Sequence, residues 1–179
     1  MEEVILVDEN DQQIGQIEKI EAHRKGELHR AFSIFIFNSK GDMLLQQRAL
    51  KKYHSGGLWT NACCSHPRPG EDTHEAAQRR LKEEMGIDAP IEKIFDFTYK
   101  ATFDNGLTEH EFDHVFIGYY DGEVDINHDE VENYAFAKMQ RIRDTLPAKS
   151  HEFMYTAWFR IAFPKVDQWW QNKQAALNQ

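Results

Sequence analysis

The segment from Asp72 to Gly86 constrains the fold most, because both ends of a helix and its buried face can be read from its residues. Asp72 is a natural N-cap, Glu75 stands three positions on as in a capping box, and Gly86 supplies the C-terminal stop. At about 100° per residue, Ala76, Ala77, Arg80, Leu81 and Glu84 share one half of the helical wheel, while Arg79 and Glu83 turn to solvent. The apolar members mark the buried side, so Arg80 and Glu84 point inward with them. An i,i+4 ion pair is the plain explanation. A carboxylate on a buried stripe is costly unless it meets a cation, which makes Glu84 a candidate for metal or substrate contact.

The segment before this helix, Trp59 to Glu71, holds both cysteines, Cys63 and Cys64, together with His66. If Ala62 to His66 is extended, Cys64 and His66 face one side and Cys63 the other. A lone cysteine is more often a small buried hydrophobe than a catalyst, and that reading suits Cys63. Cys64, beside His66 and ahead of the helix, is placed for chemistry. Adjacent cysteines do not easily meet disulfide geometry, so both are expected as free thiols of a reducing cytoplasm.

Along the chain, 4–7 and 14–20 read as strands and 23–29 as a loop carrying His23 and His29. The apolar, β-branched and aromatic run Ala31 to Phe37 reads as a central strand, with 38–42 a hairpin turn and 43–48 its partner. Strands are expected at 94–101, 107–120 and 131–137, a helix over 151–163 ended by Pro164, and a terminal helix over 166–177. This mixture predicts a single α/β or α+β domain over 1–179. A net charge of -9 and the lack of a Lys/Arg run argue against a nucleic-acid partner. No apolar run approaches the roughly 20 residues of a membrane helix, and the first residues lack the pattern of an export signal.

Glu109 and Glu111 lie two apart in an expected strand, so both carboxylates project from one face. A solvated strand edge would show the same spacing. With His23, His29 and His66 available, however, two carboxylates and three imidazoles fill a six-coordinate site for a divalent metal such as Mn, Fe or Zn. The remaining histidines, including His54, read as ordinary surface or core residues.

Glu71, its seven-residue spacer and Arg79-Arg80-Leu81-Lys82-Glu83-Glu84-Met85-Gly86-Ile87 resemble the Nudix box, with Ser65 in place of its first Gly. Arg80 departs from the pattern: a hydrolase of this kind has a metal-binding Glu there. An arginine would instead suit an anion. Taken with Leu28 to Ser33, Leu44 to Arg48, Trp59 to Pro67, Tyr99 to Ala101, Glu109 to Glu111 and Trp158, the chain resembles type 1 isopentenyl-diphosphate isomerases, a divergent branch of the Nudix fold.

That resemblance implies a Nudix-like α/β/α sandwich with mixed β-sheets and flanking helices. It implies a cytoplasmic, monomeric enzyme of isoprenoid biosynthesis that interconverts isopentenyl and dimethylallyl diphosphate through a tertiary carbocation. Cys64 and Glu111 match its acid/base pair, Tyr99 a residue that tunes the acid, and Trp158 an indole facing the cation. His23, His29, His66, Glu109 and Glu111 match a site for Mn2+ or Zn2+. Glu84 and the Cys64 carbonyl match contacts to an Mg2+ that arrives with the diphosphate. Lys19, Arg48, Lys52 and Arg80 match its diphosphate grips. The competing expectation is a metal-dependent Nudix pyrophosphohydrolase.

Overall fold

A computed structural model describes residues 1–147 and 154–179. The strand expected at 31–37 is β3 (His29–Phe37), and the fold is organised around it. It runs parallel to β8 (Thr108–Tyr119), in register from His29↔Glu111 to Phe37↔Tyr119. On its other edge it pairs with β6 (Cys63–Ser65) through Phe32↔Ser65, Ser33↔Cys64 and Ile34↔Cys63. β7 (Ile91–Thr102) is antiparallel to β8 and sets Tyr99 opposite Glu111.

The hairpin β1 (Glu3–Val7) and β2 (Gln13–Glu18) joins β3 at Leu6↔His29. β4 (Met43–Arg48) touches β3 at Phe37↔Met43, then leaves it to run between β5 (Trp59–Asn61) and β9 (Val131–Ala137). The expected 31–48 hairpin is therefore paired only at its turn.

Strand β3 is buried on both faces, and each face meets a helix. Phe32, Ile34 and Ile36 pack with Ala76, Ala77, Leu81 and Met85 of α2 (Thr73–Met85). Phe35 and Phe37 pack with Phe159, Ala162, Phe163 and Val166 of α4 (Ala157–Leu177), joined by Ile142 of α3 (Met139–Thr145). This is the α/β/α layering expected. Each fully buried Phe contributes about 1.5–3 kcal/mol. The caps of α2 are those read from sequence: the Asp72 side chain accepts from Glu75 N, and Gly86 is left-handed at φ 65.

Three elements differ from expectation. The chain turns helical at Lys19 rather than extending to Ile20. The Glu18 carboxylate accepts from Ile20 N and Glu21 N, so it nucleates α1 (Lys19–Lys25), which Gly26 closes at φ 67. His23 therefore stands on a helix and not in a loop. Secondly, Pro164 does not end a helix; it lies within α4. Its ring is on the exposed side, and the apolar stripe from Trp158 to Val166 continues past it, so burial outweighs one missing N–H donor. Thirdly, the start expected at 151–153 falls outside the described residues, and α4 begins at Ala157, capped by Thr156. Among the described residues no helix is long and apolar enough to cross a membrane.

Candidate active site and metal centre

The α4-facing side of β3 and β8 changes character along its length. Phe35, Phe37, Val115 and Ile117 make it apolar at one end. Two-residue steps toward the start of both strands bring His29, Ser33, Glu109, Glu111 and Asp113 onto the same face, all buried. A cleft of about 420 Å³ opens at this polar end. Every residue expected in the site lines it except His23 and His29, which are fully buried.

His23 and His29 have defined tautomers. Nδ1 of His23 lies 2.6 Å from Lys19 O, and Nδ1 of His29 lies 2.8 Å from Glu27 O. A carbonyl only accepts, so each Nδ1 carries a proton, and Nε2 is bare whenever the ring is neutral. Burial pushes His23 down to about 4, so it is neutral near pH 7. Burial would lower His29 as well, but hydrogen bonding and charge from Glu111 raise it. Nε2 of His66 lies 3.0 Å from Glu111 Oε1 and 3.2 Å from His29 Nε2.

Donors at right angles on an ion about 2.1 Å away lie roughly 3 Å apart, so these separations fit a metal centre. His23, His29, His66 and Glu111 each offer an atom within 4.8 Å of the others. The Nε2 of His23 has no hydrogen-bond partner, which leaves a buried lone pair for an ion. Glu109 groups instead with His23 and His54. The Tyr99 hydroxyl bridges the two carboxylates, at 2.9 Å from Glu109 Oε2 and 2.6 Å from Glu111 Oε2. Burial opposes the charge on Glu111, yet the His29 and His66 hydrogen bonds hold its carboxyl well below the usual range.

The thiol sits in its own network. Cys64 Sγ donates to Asn61 Oδ1 at 3.1 Å and lies 3.5 Å from Ser33 Oγ, which donates to Asp113 Oδ2 at 2.7 Å. The Asn61 amide nitrogen donates to Ile34 O and Cys63 O, so its oxygen must turn toward the thiol. Burial pushes Cys64 up to about 12, with the Asp113 charge adding to the shift. The group is therefore a protonated thiol at neutral pH. Cys63 faces the α2 core and is fully buried.

The basic side of the cleft is braced by carboxylates. Arg80 Nη2 lies 2.5 Å from Glu84 Oε1, while Gln46 Nε2 donates to Glu84 Oε2 at 2.9 Å. The i,i+4 pair is thus real, and Glu84 is inside the cleft as well. Lys19 pairs with Glu2 at 2.6 Å, and Lys52 pairs with Glu130. The Arg48 guanidinium stacks 5.0 Å from the Trp158 ring, placing a cation against an indole that is 3% exposed.

A family model described as "NUDIX domain" matches residues 27–159. The isopentenyl-diphosphate Delta-isomerase of Pectobacterium atrosepticum is 52% identical over 169 residues, covering 94% of this chain and 93% of that protein. The chain belongs to the isopentenyl-diphosphate Delta-isomerase family. Isopentenyl-diphosphate Delta-isomerase 1 of Aromatoleum aromaticum is 50% identical over 165 residues, covering 92% of each. Among solved structures, DR0079 from Deinococcus radiodurans superimposes with a TM-score of 0.74 at 18% identity, covering 91% of this chain and 98% of that one, a likeness of fold.

In this isomerase-family chain, sequence reasoning overlooked several residues of the cleft. His54, read as ordinary, is buried against Glu109 with Nε2 3.3 Å from Oε1. Ser33 and Asp113 carry on the two-residue period of His29 and of Glu109–Glu111, a signal that was there to be followed. Asn61, Gln46 and Glu130 become partners only through tertiary packing. His74, His110 and His114 bond to Ile91 O, Gly26 O and Asp11. His151 lies outside the described residues.

Proposed function

We propose that residues 1–179 act as one domain and one monomeric enzyme that interconverts isopentenyl and dimethylallyl diphosphate in isoprenoid biosynthesis, with Cys64 and Glu111 as its proton-transfer pair. The observation that carries this reading is the meeting of a protonated thiol and an ionised carboxylate in one cleft of an isomerase-family chain. Every proposed group comes from a single chain, so the site needs no second copy.

Protonating the alkene at its terminal carbon gives a tertiary carbocation. Losing a proton from the carbon on the other side of that centre completes the double-bond shift. The reaction needs one donor and one acceptor on opposite faces of the substrate, and the resting cleft offers Cys64 as thiol and Glu111 as carboxylate. The reverse direction exchanges their roles. Tyr99 holds Glu111 in place through its hydroxyl. Trp158 presents a ring whose quadrupole stabilises positive charge without bonding to it. His23, His29, His66, Glu109 and Glu111 would hold Mn2+ or Zn2+, which supplies charge balance for two carboxylates buried side by side. Lys19, Arg48, Lys52 and Arg80 would grip the diphosphate, and Glu84 and the Cys64 carbonyl would hold an Mg2+ that supplies further charge neutralisation.

The second reading, pyrophosphate hydrolysis, is disfavoured by Arg80, which stands where the Nudix box needs a carboxylate and is bound to Glu84. Incubating the protein with isopentenyl diphosphate, Mg2+ and Mn2+ under proton and phosphorus NMR separates the two. Olefin resonances of dimethylallyl diphosphate with an intact diphosphate are expected. Phosphate release without an olefin shift refutes the isomerase reading.

A further inference from the structure

Lys52 and Arg80 reach the cleft from different elements, the loop between β4 and β5 and the helix α2, and converge on one atom. Lys52 Nζ pairs with Glu130 Oε2, and Arg80 Nη2 lies 3.6 Å from the same oxygen. Glu130 is thus an anion held where two cations meet. It lines the cleft from the residue just before β9, and its backbone is pinned. Ala49 N donates to Glu130 O at 3.0 Å, and Glu130 N donates to Asn127 O at 2.9 Å.

The Lys52–Glu130 pair is not needed to hold these segments together. Lys51 and Asp129 join the same two stretches of chain at 2.7 Å, with side chains 67% and 81% exposed, and the Ala49–Glu130 backbone bond joins them again. Lys52 and Glu130, at 21% and 27%, are the inner pair and line the cleft. Arg80 does not depend on Glu130 either. Its Nη1 lies 2.6 Å from Glu83 Oε2 and its Nη2 lies 2.5 Å from Glu84 Oε1, so the contact with Glu130 is the loosest of the three. What the Glu130 carboxylate does here is neutralise two cations. An oxygen shared by a lysine and an arginine from separate elements has the setting of a phosphate oxygen. Two anions cannot occupy that setting together, because like charges in a partly desolvated cleft repel strongly.

We propose that Glu130 is a resident counter-ion of the diphosphate subsite: it occupies Lys52 and Arg80 while the cleft is empty, and the substrate displaces it to bind. The inference rests on the diphosphate subsite proposed above. Its consequence concerns release as well as entry. Moving a double bond leaves the diphosphate intact, so the chemistry itself does nothing to loosen the cations from the product. A carboxylate that returns to Lys52 and Arg80 competes with the product for them and helps it leave.

The test titrates inorganic pyrophosphate into the wild-type protein, Glu130→Gln and Glu132→Gln by calorimetry, with EDTA present. Glu130→Gln should bind at least about 10-fold more tightly than wild type, the worth of one hydrogen bond between charged groups. Glu132 is exposed on β9, and Glu132→Gln removes the same charge without touching Lys52 or Arg80; it should stay within about twofold of wild type. A gain in Glu130→Gln no larger than that in Glu132→Gln reduces the effect to net charge and overturns the proposal. Weaker binding in Glu130→Gln makes the residue a brace for the cations and overturns it too, as does the absence of metal-free binding in both wild type and Glu130→Gln. Glu130→Asp keeps the charge but shortens its reach, so it should bind pyrophosphate about threefold or more tightly than wild type. Wild-type affinity in that variant overturns the proposal even if Glu130→Gln does not fold. Failure of the wild type to bind pyrophosphate with Mg2+ added would refute the diphosphate subsite itself, and the proposal with it, a result distinct from any ranking of the variants.

Discussion

Arg80→Met tests how the helix face that departs from the Nudix box is stabilised. The substitution keeps an unbranched apolar stem and removes the guanidinium. Glu84, whose side chain is 6% exposed, then keeps the Gln46 amide as a neutral partner but loses its cation. Removing one partner of a buried ion pair costs about 3–5 kcal/mol, because the other charge is left desolvated. For a chain of this size each kcal/mol moves the melting temperature by about 2–4 °C, so the variant should melt roughly 6–20 °C lower. Adding Glu84→Gln removes the stranded charge and keeps the hydrogen bond from Gln46. The double variant should recover at least half of the loss in urea unfolding. If Arg80→Met costs under about 1 kcal/mol, or the double variant is the sum of the singles, the pair is not coupled as the geometry implies.

Other substitutions separate chemistry from packing. Cys64→Ala should lower kcat by about 100-fold to 10,000-fold in the NMR assay, whereas Cys63→Ala should keep most turnover and lose about 1–2 kcal/mol of stability. Equal inactivation by both would contradict the face assignment of β6. Pro164→Ala should stabilise α4 by about 2 kcal/mol, read as a higher urea midpoint, since it restores an N–H on the exposed side of a continuous helix; a lower midpoint would count against that placement. His114 is held below its ordinary 6.5 by burial, despite the Asp11 carboxylate. The unfolded chain therefore binds a proton first, so this residue's contribution is complete above about pH 6.5 and is lost as pH falls below it. His114→Gln should flatten stability between pH 7 and 5, and an unchanged slope would show that other groups set it.

The parts of the fold that sequence reveals are those governed by local rules. Asp72, Glu75 and Gly86 specify α2 through capping, and the strand at 131–137 falls within turn residues that bound it. Pro164 misled because a local helix-stop rule was applied where Phe159, Ala162, Phe163 and Val166 bury one stripe across it. Ile14 to Ile20 alternates like a strand, and only the Glu18 cap shows where it turns helical. In the cleft, Cys64, Glu109 and Glu111 were visible through two-residue periodicity. His54 was not, because its loop has no period and its partners arise from α1 and β8. Asn61 was equally hidden: its role depends on carbonyls of β3 and β6 that only pairing brings near.

The parallel pairing of β3 with β8 also has a temporal consequence. Ser33 and Asp113 are neighbours in the fold but 80 residues apart in the chain. On a ribosome, Ala31 to Phe37 emerges long before the strand that covers one of its edges, and it is among the most apolar and β-prone segments of the chain. Until β8 arrives, that edge is an open template for another nascent chain. The antiparallel partner β6, released only about 30 residues later, protects just the three positions from Phe32 to Ile34. Synthesis rate across residues 40–110, and chaperone contact during it, should therefore govern the yield of soluble protein more than any property of the finished site.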